Sequence, residues 1–309
     1  MKVFRYPDSC ILDQKIHPKK NYDESLRLPR NLHLGQVKLF SNELLFILNH
    51  VYTSDVDKEK KKLILYIGAG PGHHIPILSK MFPKLYWHLY DSRFIDELQT
   101  IKSVTLFKRY FEDSDIDRYS KLHDEYNIYF ISDIRDLSYD PRKRTIQEEE
   151  KIFNDMNMQQ KWVSGVGALW SMVKFRPPFP EDFIIKHIGK DYIEYFPGII
   201  YKQPFSKITS VETRLVISKD DINIKKRYNL KEYESQMFYH NVVSRNEEYV
   251  FPLDSIVKNL KINHKVSIDL RYDFAYLISC FYEYFIRLGK KDIHVIASRI
   301  HKILKLLIV

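Results

Sequence analysis

In the segment LYIGAGPGHH, an apolar run is followed by three glycines at alternate positions, a pattern that can hold a ligand. The run predicts a buried strand. Gly68, Gly70 and Gly72 predict a turn that lets the backbone approach a ligand closely. Asp91 ends the next predicted strand, 19 residues past Gly72. An acid at that position can accept hydrogen bonds from ribose hydroxyls, so the pattern is typical of a site for a nucleoside-containing ligand.

The spacing of these glycines departs from the dinucleotide fingerprint. The sequence has G-x-G-x-G, and His73 stands where G-x-G-x-x-G would bring its last glycine close to the helix. A shorter turn suits a ligand without a pyrophosphate, and S-adenosylmethionine, an adenosine joined to an amino acid, is the leading candidate. A nicotinamide-dependent dehydrogenase and a turn that binds no cofactor stay open as alternatives.

Predicted strands and helices alternate along the chain. Strands are predicted at LILYI, LYWHLYD, VTLFKRYF, NIYFISD, ALWSMVKF and ETRLVIS. Helices are predicted after the glycine turn and in TIQEEEKIF, where Thr145 and Glu148 have capping-box spacing. This alternation predicts an α/β fold with a mostly parallel central sheet and helices on both faces. Asp133, which ends NIYFISD, would then lie beside the glycine turn.

The two ends of the chain have different patterns. Residues 1–30 are polar and aperiodic, which predicts an N-terminal arm. Residues 31–309 are predicted to be a single domain with a helical C-terminal extension. Apolar residues recur at helical spacing from Gly35 onward and again in the last segment, where one face carries Ile293, Ile296, Ile300, Ile303 and Leu307.

Composition favours an anionic partner. The 309 residues include 49 Lys and Arg against 40 Asp and Glu, a formal charge of +9, and 14% aromatic residues, which together favour nucleic acid.

Two cysteines, Cys10 and Cys280, are too few for a disulfide framework and indicate a reducing compartment. The start of the chain lacks the apolar segment of a signal peptide. The apolar run around Glu283 is too short to span a bilayer, so no membrane partner is predicted. The scattered histidines lack metal-ligand spacing, so no metal is predicted.

Six segments in order resemble the poxvirus cap-specific mRNA 2′-O-methyltransferase family, whose members also serve as the processivity subunit of the viral poly(A) polymerase. They are LGQVKLFSNELLF, LYIGAGPGHHI, YFISDIRD, SMVKFRPPFPEDF, QPFSKITSVETRL and YESQMFYHNVVSRN. The similarity runs from about residue 20 to about residue 290 and is weak in 141–160.

The resemblance implies a Rossmann-like S-adenosylmethionine-dependent methyltransferase fold. It implies methyl transfer to the 2′-hydroxyl of the first transcribed nucleotide of m7G-capped mRNA. It also implies a heterodimer with the poly(A) polymerase catalytic subunit, and a location in the virion and the host-cell cytoplasm.

The resemblance also implies a catalytic tetrad of Lys38, Asp133, Lys174 and Glu212. In that role Lys174 would be neutral and would take the proton of the 2′-hydroxyl. The reference pKa of lysine, about 10.4, would have to fall by roughly two units. Desolvation and a second cation, either Lys38 or the sulfonium, both act in that direction. The two carboxylates would hold the lysines and balance their charge.

Further positions follow from the same resemblance. The cofactor positions are Gln36, Tyr66, Gly68, Gly70, Gly72, Asp91, Arg93, Phe111 and Asp133. Phe111 replaces a smaller aliphatic residue of the family, and Gly70 replaces an alanine.

For the cap, the family holds 7-methylguanine between two aromatic rings, with acids that accept from the base. The matching residues are Tyr22, Phe179, Glu181 and Glu234, whereas Thr209 stands where the family has another ring. Independently of the resemblance, lysines and arginines would contact the phosphates of RNA beyond the cap, and the candidates are Arg135, Arg142, Lys143 and Arg144, just beyond the fourth predicted strand.

Three other functions compete with this hypothesis. The chain could act only as a binding subunit of a polymerase, although an intact tetrad favours retained catalysis. A cap-independent RNA 2′-O-methyltransferase would share the tetrad but gives no reason for Phe179 together with Glu181 and Glu234. A dehydrogenase is the most distant alternative.

Overall fold

The computed structural model describes residues 2–13, 18–23, 25, 34–54, 57–136, 138, 145–246, 249–250 and 271–307. The chain forms two compact units. The sheet unit comprises Thr53–Ile200 and Val211–Glu234. The helical unit comprises Met1–Tyr52, Tyr201–Ser210 and Ser235–Val309. The predicted division into an arm of residues 1–30 and a single domain of residues 31–309 stays a prediction.

A seven-stranded sheet forms the centre of the sheet unit. Its strands are β2 (Lys61–Ile67), β3 (Leu85–Tyr90), β4 (Val104–Phe107), β5 (Tyr126–Ser132), β6 (Trp170–Phe175), β8 (Ile199–Tyr201) and β9 (Thr213–Ser218). The central strands β2 and β5 are almost wholly buried, as their continuous apolar runs predict for a sheet covered on both faces. A separate antiparallel pair joins β7 (Tyr192–Tyr195) to β10 (Lys226–Asn229).

The strand order of this sheet is β4-β3-β2-β5-β6-β9-β8. The pairs from β4 to β6 are all parallel, whereas β9 runs antiparallel to β6. From β2 the chain winds outward to β3 and β4, and it then returns to the other side of β2 to form β5 and β6. The carboxyl ends of β2 and β5 therefore flank the topological switch point, where open α/β sheets bind ligands. The predicted fold class, a mostly parallel Rossmann-like sheet, is confirmed.

Helices of the sheet unit connect successive strands. They are α2 (Ile75–Met81), α3 (Asp113–Ser120), α4 (Ile146–Val166) and α5 (Pro180–Lys186). The side chain of Thr145 caps α4 by accepting a hydrogen bond from the Glu148 backbone N–H, as the sequence predicts. At its other end α4 stops at Gly167, whose φ of 63° is the left-handed conformation that favours glycine.

The helical unit is built around α1 (Gly35–Phe46), which continues into a π-helical segment (Ile47–Tyr52), and α7 (Arg271–Arg287). Phe40 of α1 packs against Phe281 of α7 with ring centroids 5.4 Å apart. A short parallel pair joins β1 (Lys2–Val3) to β11 (Tyr249–Val250), and α8 (Ile293–Leu307) is the last helix.

The helix α6 (Leu230–Val242) begins in the sheet unit and ends in the helical unit. Within the described part of the chain, no helix is long and apolar enough to cross a membrane.

Candidate active site

The strand register places the predicted catalytic and cofactor-binding residues of the sheet unit together, at the edge of the sheet formed by the carboxyl ends of the parallel strands. Ile67, the last residue of β2, pairs with Ser132 at the end of β5, so the glycine turn and Asp133 begin side by side. The Asp133 N–H donates to the Ile67 carbonyl at 2.9 Å. Ser132 in turn pairs with Val173 of β6, which places Lys174 next to Asp133. The carboxyl-end rule of open sheets therefore predicted this edge from the sequence.

The antiparallel strand β9 adds its amino end to the same edge. Lys174 pairs directly with Arg214 in the β6–β9 register, and Glu212 lies just before the start of β9. Residues two apart on a strand share a face, so Glu212 and Arg214 both belong to this cluster. The sequence analysis identified Glu212 but missed Arg214, and the period of two is the signal that could have found it.

Lys174 lies at the centre of the cluster. Its Nζ is 2.8 Å from Asp133 Oδ1 and donates to the Asp133 carbonyl oxygen at 3.2 Å. The lysine side chain is only 11% exposed. Burial lowers the pKa of Lys174, opposed by Asp133 and Glu212 and reinforced by Arg135 and Arg214. The site therefore favours the neutral amine more than water does.

Two arginines bind the carboxylates around this lysine. Arg214, 3% exposed, lies 2.7 Å from Asp133 Oδ1 and 3.9 Å from Glu212 Oε1. Burial opposes its charge, but the two carboxylates outweigh burial and raise the pKa of Arg214. Arg135 donates to Glu212 Oε2 at 3.2 Å and to Asp155 Oδ2 at 3.4 Å. Glu212 is thus held by two arginines.

Asp155 of α4 is a member of the cluster that the sequence analysis did not identify. Burial raises its pKa, opposed by the Asp136 N–H and the charge of Arg135. Burial also acts on Lys174, so it favours the neutral form of each group. The cluster contains three cations and three carboxylates, and its buried lysine and buried Asp155 are the members most readily neutralised.

The remaining tetrad position, Lys38, lies in the first turn of α1 in the helical unit, with Gln36 close by in the chain. Both side chains are half-buried. Their predicted roles toward the cofactor and the catalytic lysine stay predictions.

The glycine turn closes against Asp91. Gly68 and Gly72 have φ of +76° and +79°, the region that favours glycine. The Gly70 N–H donates to Asp91 Oδ2 at 3.0 Å, and the Arg93 N–H donates to Asp91 Oδ1 at 3.3 Å. A Cβ on Gly70 would lie 2.3 Å from the Arg93 carbonyl oxygen and 2.5 Å from Asp91 Cγ. The turn thus orients the acid expected to bind a ribose.

An aromatic group flanks the predicted adenine position. Phe111 is buried, with its ring centroid 5.1 Å from that of Tyr90 and 5.2 Å from that of Trp162. Tyr90 stacks on Phe107 at 4.3 Å. Tyr66 of β2, another predicted cofactor residue, is also buried. These contacts give the edge a rigid apolar wall of the kind that holds a planar base.

Three of the predicted cap residues lie in the sheet unit. Phe179 precedes α5, and its N–H donates to Glu149 Oε2 at 2.8 Å. Its ring centroid lies 4.3 Å from the guanidinium carbon of Arg176, which pairs with Glu149. This buried Arg176–Glu149 pair was not predicted. Glu181 is exposed in the first turn of α5, and Glu234 is half-buried in α6.

The fourth predicted cap residue, Tyr22, lies in the helical unit. Its hydroxyl donates to the Thr209 carbonyl at 3.3 Å, and its ring centroid lies 5.0 Å from that of Phe238. Of the predicted RNA-binding residues, Arg135 is engaged by the carboxylates described above. Residues 142–144 lie outside the described part of the chain.

The fold and this edge define a class: a doubly wound α/β protein with a glycine turn and a buried lysine–carboxylate cluster at the carboxyl ends of its strands. Within that class, the chain belongs to the poly(A) polymerase regulatory subunit family, whose model matches residues 7–286.

Two viral relatives are similar to most of the chain. A myxoma virus protein (strain Lausanne) named cap-specific mRNA (nucleoside-2′-O-)-methyltransferase is 29% identical over 255 residues, covering 79% of this chain and 70% of its own. A fowlpox virus protein of the same name is 31% identical over 227 residues, covering 68% of each chain.

Among solved structures, bluetongue virus VP4, described as a multifunctional RNA-capping production line, matches 80% of this chain and 39% of its own. The TM-score is 0.41 at 13% identity, a likeness too weak to bear on fold or function.

Proposed function

We propose that the chain transfers a methyl group from S-adenosylmethionine to the ribose 2′-hydroxyl of the first transcribed nucleotide of m7G-capped mRNA. The observation that carries this proposal is Lys174, whose buried amine lies 2.8 Å from Asp133 beside the glycine turn, with a lowered pKa. The names of the myxoma and fowlpox virus relatives support the same activity.

The donor set of the glycine turn fits adenosylmethionine. Asp91 is held beside the turn by backbone N–H groups and can accept from a ribose, and Phe111 can form the wall of an adenine pocket. The other candidates in the sheet unit are Tyr66, Gly68, Gly70, Gly72, Arg93 and Asp133. When bound, the cofactor would supply an electrophilic methyl group on a sulfonium.

Lys174 then acts on the substrate hydroxyl. A ribose hydroxyl is a poor nucleophile, and a neutral amine within hydrogen-bond distance can orient it and take its proton. Asp133 holds the amine from two oxygens, its Oδ1 and its carbonyl. Arg135 and Arg214 oppose protonation of the lysine and keep Glu212 and Asp133 in place. Lys38 is proposed as a second cation that disfavours protonation of Lys174.

Phe179, Glu181, Glu234 and Tyr22 are proposed to bind the cap. The methyl group of 7-methylguanine makes the base cationic, so stacking on an aromatic ring gains a cation–π contribution that guanine lacks. The Phe179 ring already lies against the guanidinium of Arg176, a contact that supports its use as a surface for a planar cation. Glu181 and Glu234 supply acceptors for the N1–H and amino group of the base.

A second function is proposed from the family itself. Its description as a regulatory subunit of poly(A) polymerase supports a heterodimer in which this chain gives processivity to a catalytic subunit. The virion and the host-cell cytoplasm are the proposed locations.

The test measures transfer of labelled methyl from adenosylmethionine to three RNAs that differ only at the 5′ end: m7G-capped, G-capped and uncapped. We expect transfer to the m7G-capped RNA, no transfer by Lys174→Ala, and normal transfer by Lys161→Ala, which removes an exposed lysine of α4. Equal methylation of all three RNAs would replace the proposal with a cap-independent enzyme. Binding of a nicotinamide dinucleotide in place of adenosylmethionine would indicate a dehydrogenase.

Phe179→Ala separates the cap-dependent proposal from the cap-independent one by binding alone. We expect weaker binding to m7G-capped RNA and unchanged binding to uncapped RNA. A tenfold preference for the methylated cap corresponds to about 1.4 kcal/mol, which one cation–π stack can supply.

A further inference from the structure

The last helix, α8, lies beyond residue 286, where the match to the family model ends. Its apolar face is already covered within the helical unit: Ile296, Ile300, Leu304 and Leu307 are buried. Insertion of an amphipathic helix into a membrane surface requires a free apolar face. Val295 and Leu306 are exposed, but two separate side chains do not make a continuous apolar face, so a lipid bilayer is a poor partner for α8.

The outward face of α8 is cationic. Arg299, Lys302 and Lys305 are exposed and follow one another at three-residue spacing, so they lie on neighbouring positions of one helix face. By helix geometry they span about 9 Å. We define these three residues as the α8 basic face. Lys290 and Lys291, just before the helix, are also exposed.

No acid neutralises this face from within the segment. Asp292 is the only acidic residue between positions 288 and 309 of the sequence. Its Oδ1 accepts hydrogen bonds from the His294 N–H at 2.8 Å and the Val295 N–H at 3.2 Å. This carboxylate therefore caps the start of α8. The guanidinium of Arg299 lies 5.9 Å from the ring centroid of Phe285 in α7.

We propose that the α8 basic face binds the phosphate backbone of single-stranded RNA. The proposal rests on the proposed function for the presence of an RNA substrate. A row of cations without acids is complementary to a polyanion, and phosphate contacts need no base readout. A protein partner fits less well, because lysine is depleted in protein–protein interfaces.

The experiment compares two triple variants of the full chain with equal loss of charge. The first is Arg299→Gln, Lys302→Gln and Lys305→Gln. The matched control is Lys84→Gln, Lys102→Gln and Lys121→Gln, three exposed lysines of the sheet unit. Fluorescence anisotropy measures the Kd of an uncapped RNA of about 30 nucleotides between roughly 50 and 200 mM salt, where phosphate contacts dominate the salt dependence. For three lost phosphate contacts, the slope of log K against log salt should flatten by about 2, at about 0.7 per contact.

Methyl transfer to a capped trinucleotide, which is too short to reach beyond the site, should be unchanged in the first variant. An unchanged slope in that variant, or an equal flattening in the control, would overturn the proposal. So would retained RNA binding together with lost binding to phosphatidylserine vesicles, because the partner would then be a lipid surface. If the unmodified chain binds RNA as expected but methylates nothing, the proposed function fails while the RNA-binding result stands.

Discussion

The two units each bury a group of charges, and the two groups are built differently. In the helical unit, Arg245 donates from Nε and Nη2 to the two oxygens of Asp273 at 2.8 and 2.7 Å, and from Nη1 to Asn241 at 3.1 Å. In the sheet unit, Lys174 and Arg214 share one oxygen of Asp133, while Arg135 bridges two other carboxylates. In the first group, one guanidinium pairs with both oxygens of one carboxylate. In the second group, three cations share three carboxylates, and one oxygen of Asp133 is contacted by two of the cations.

A buried cation can take part in proton transfer only if it can lose its own proton. An arginine stays protonated in a protein, so Arg245 can only be balanced by its carboxylate. A buried lysine can lose its proton, and burial already lowers the pKa of Lys174. We therefore interpret the Arg245–Asp273 pair as structural and the Lys174 cluster as catalytic.

The largest expected effect is on activity. Lys174→Met removes the amine and keeps an apolar side chain of similar length. Methyl transfer should fall by about 10²–10⁴-fold, the usual contribution of a general base. The free energy of unfolding should change by only about 1 kcal/mol, the net contribution of a typical hydrogen bond, because Asp133 keeps the buried guanidinium of Arg214 as its charge partner. Single-turnover kinetics and urea unfolding measure the two quantities.

Arg245→Met is the control for that substitution, and it should give the opposite result. It leaves Asp273, which is 1% exposed, as an unpaired buried carboxylate, so stability rather than activity should fall. A large loss of stability in Lys174→Met with residual transfer would remove the distinction between the two groups.

The next effect is on stability. Asp273→Asn leaves the buried guanidinium of Arg245 without its countercharge and should cost about 3–5 kcal/mol. Asp133→Asn should cost less, roughly 1–3 kcal/mol, because Lys174 can respond by losing its proton and Arg214 keeps Glu212 as a partner. Urea unfolding at neutral pH measures both. Equal losses in the two variants would mean that the lysine stays charged in the folded protein.

Much of the fold followed from the sequence because strands covered on both faces have continuous apolar runs. That signal identified β2, β3, β5, β6 and β9, the run VTLF identified β4, and the capping residue Thr145 identified the start of α4. The short strands β7, β8 and β10 were not predicted, because YIEY and KRYN are interrupted by charged residues and IIY is only three residues long. The antiparallel direction of β9 was also beyond the sequence, since side-chain alternation is the same in both directions.

For the site, the sequence predicted residues that end strands, because the carboxyl-end rule says where such residues meet. It missed side chains whose roles depend on contacts between distant segments. Glu149 of α4 binds Arg176 and the N–H of Phe179, about thirty residues along the chain. Asp155 reaches Arg135 from the facing helix. Nothing in the local pattern of either acid distinguishes it from Glu148 and Glu150, the other acids of the same helix.

A third prediction concerns the pH dependence of methyl transfer. Burial is the main cause that lowers the pKa of Lys174, and Arg214 lowers it further. Arg214→Gln removes that cation, so the pKa of Lys174 should rise and less of the neutral amine should be present near neutral pH. The pH–rate profile should therefore move to higher pH. At any pH below the pKa of Lys174, the rate should fall about tenfold for each pH unit by which that pKa has risen.

The plateau rate of Arg214→Gln at high pH should approach that of the unmodified chain. Arg227→Gln is the control, because Arg227 is an exposed arginine of the same unit, 68% exposed and paired with Glu194. Its profile should not move. A plateau lowered in Arg214→Gln without movement along the pH axis would show that Arg214 acts on geometry alone.

The smallest effect concerns acid stability, where the two units should behave alike. Burial lowers the pKa of His88 in the sheet unit and of His50 in the helical unit to about 4, from an ordinary value of 6.5. Between these values the unfolded chain binds protons that the folded chain does not, so stability falls as pH drops from 6.5 to about 4. Each histidine contributes up to about 1.4 kcal/mol per pH unit, and half-buried His88 contributes less.

His88→Gln and His50→Gln each remove one of these contributions. Glutamine can still hydrogen-bond to the tyrosine that each ring contacts, Tyr119 at 3.1 Å and Tyr201 at 2.8 Å respectively. Urea unfolding at closely spaced pH values, from neutrality down to the lowered histidine pKa, gives the free energy of unfolding as a function of pH. This free energy should depend less steeply on pH in each variant than in the unmodified chain, and least steeply in His50→Gln. An unchanged pH dependence in both variants would mean that carboxylates, and not these histidines, cause the loss of stability in acid. The two units would then differ only in their buried ion pairs.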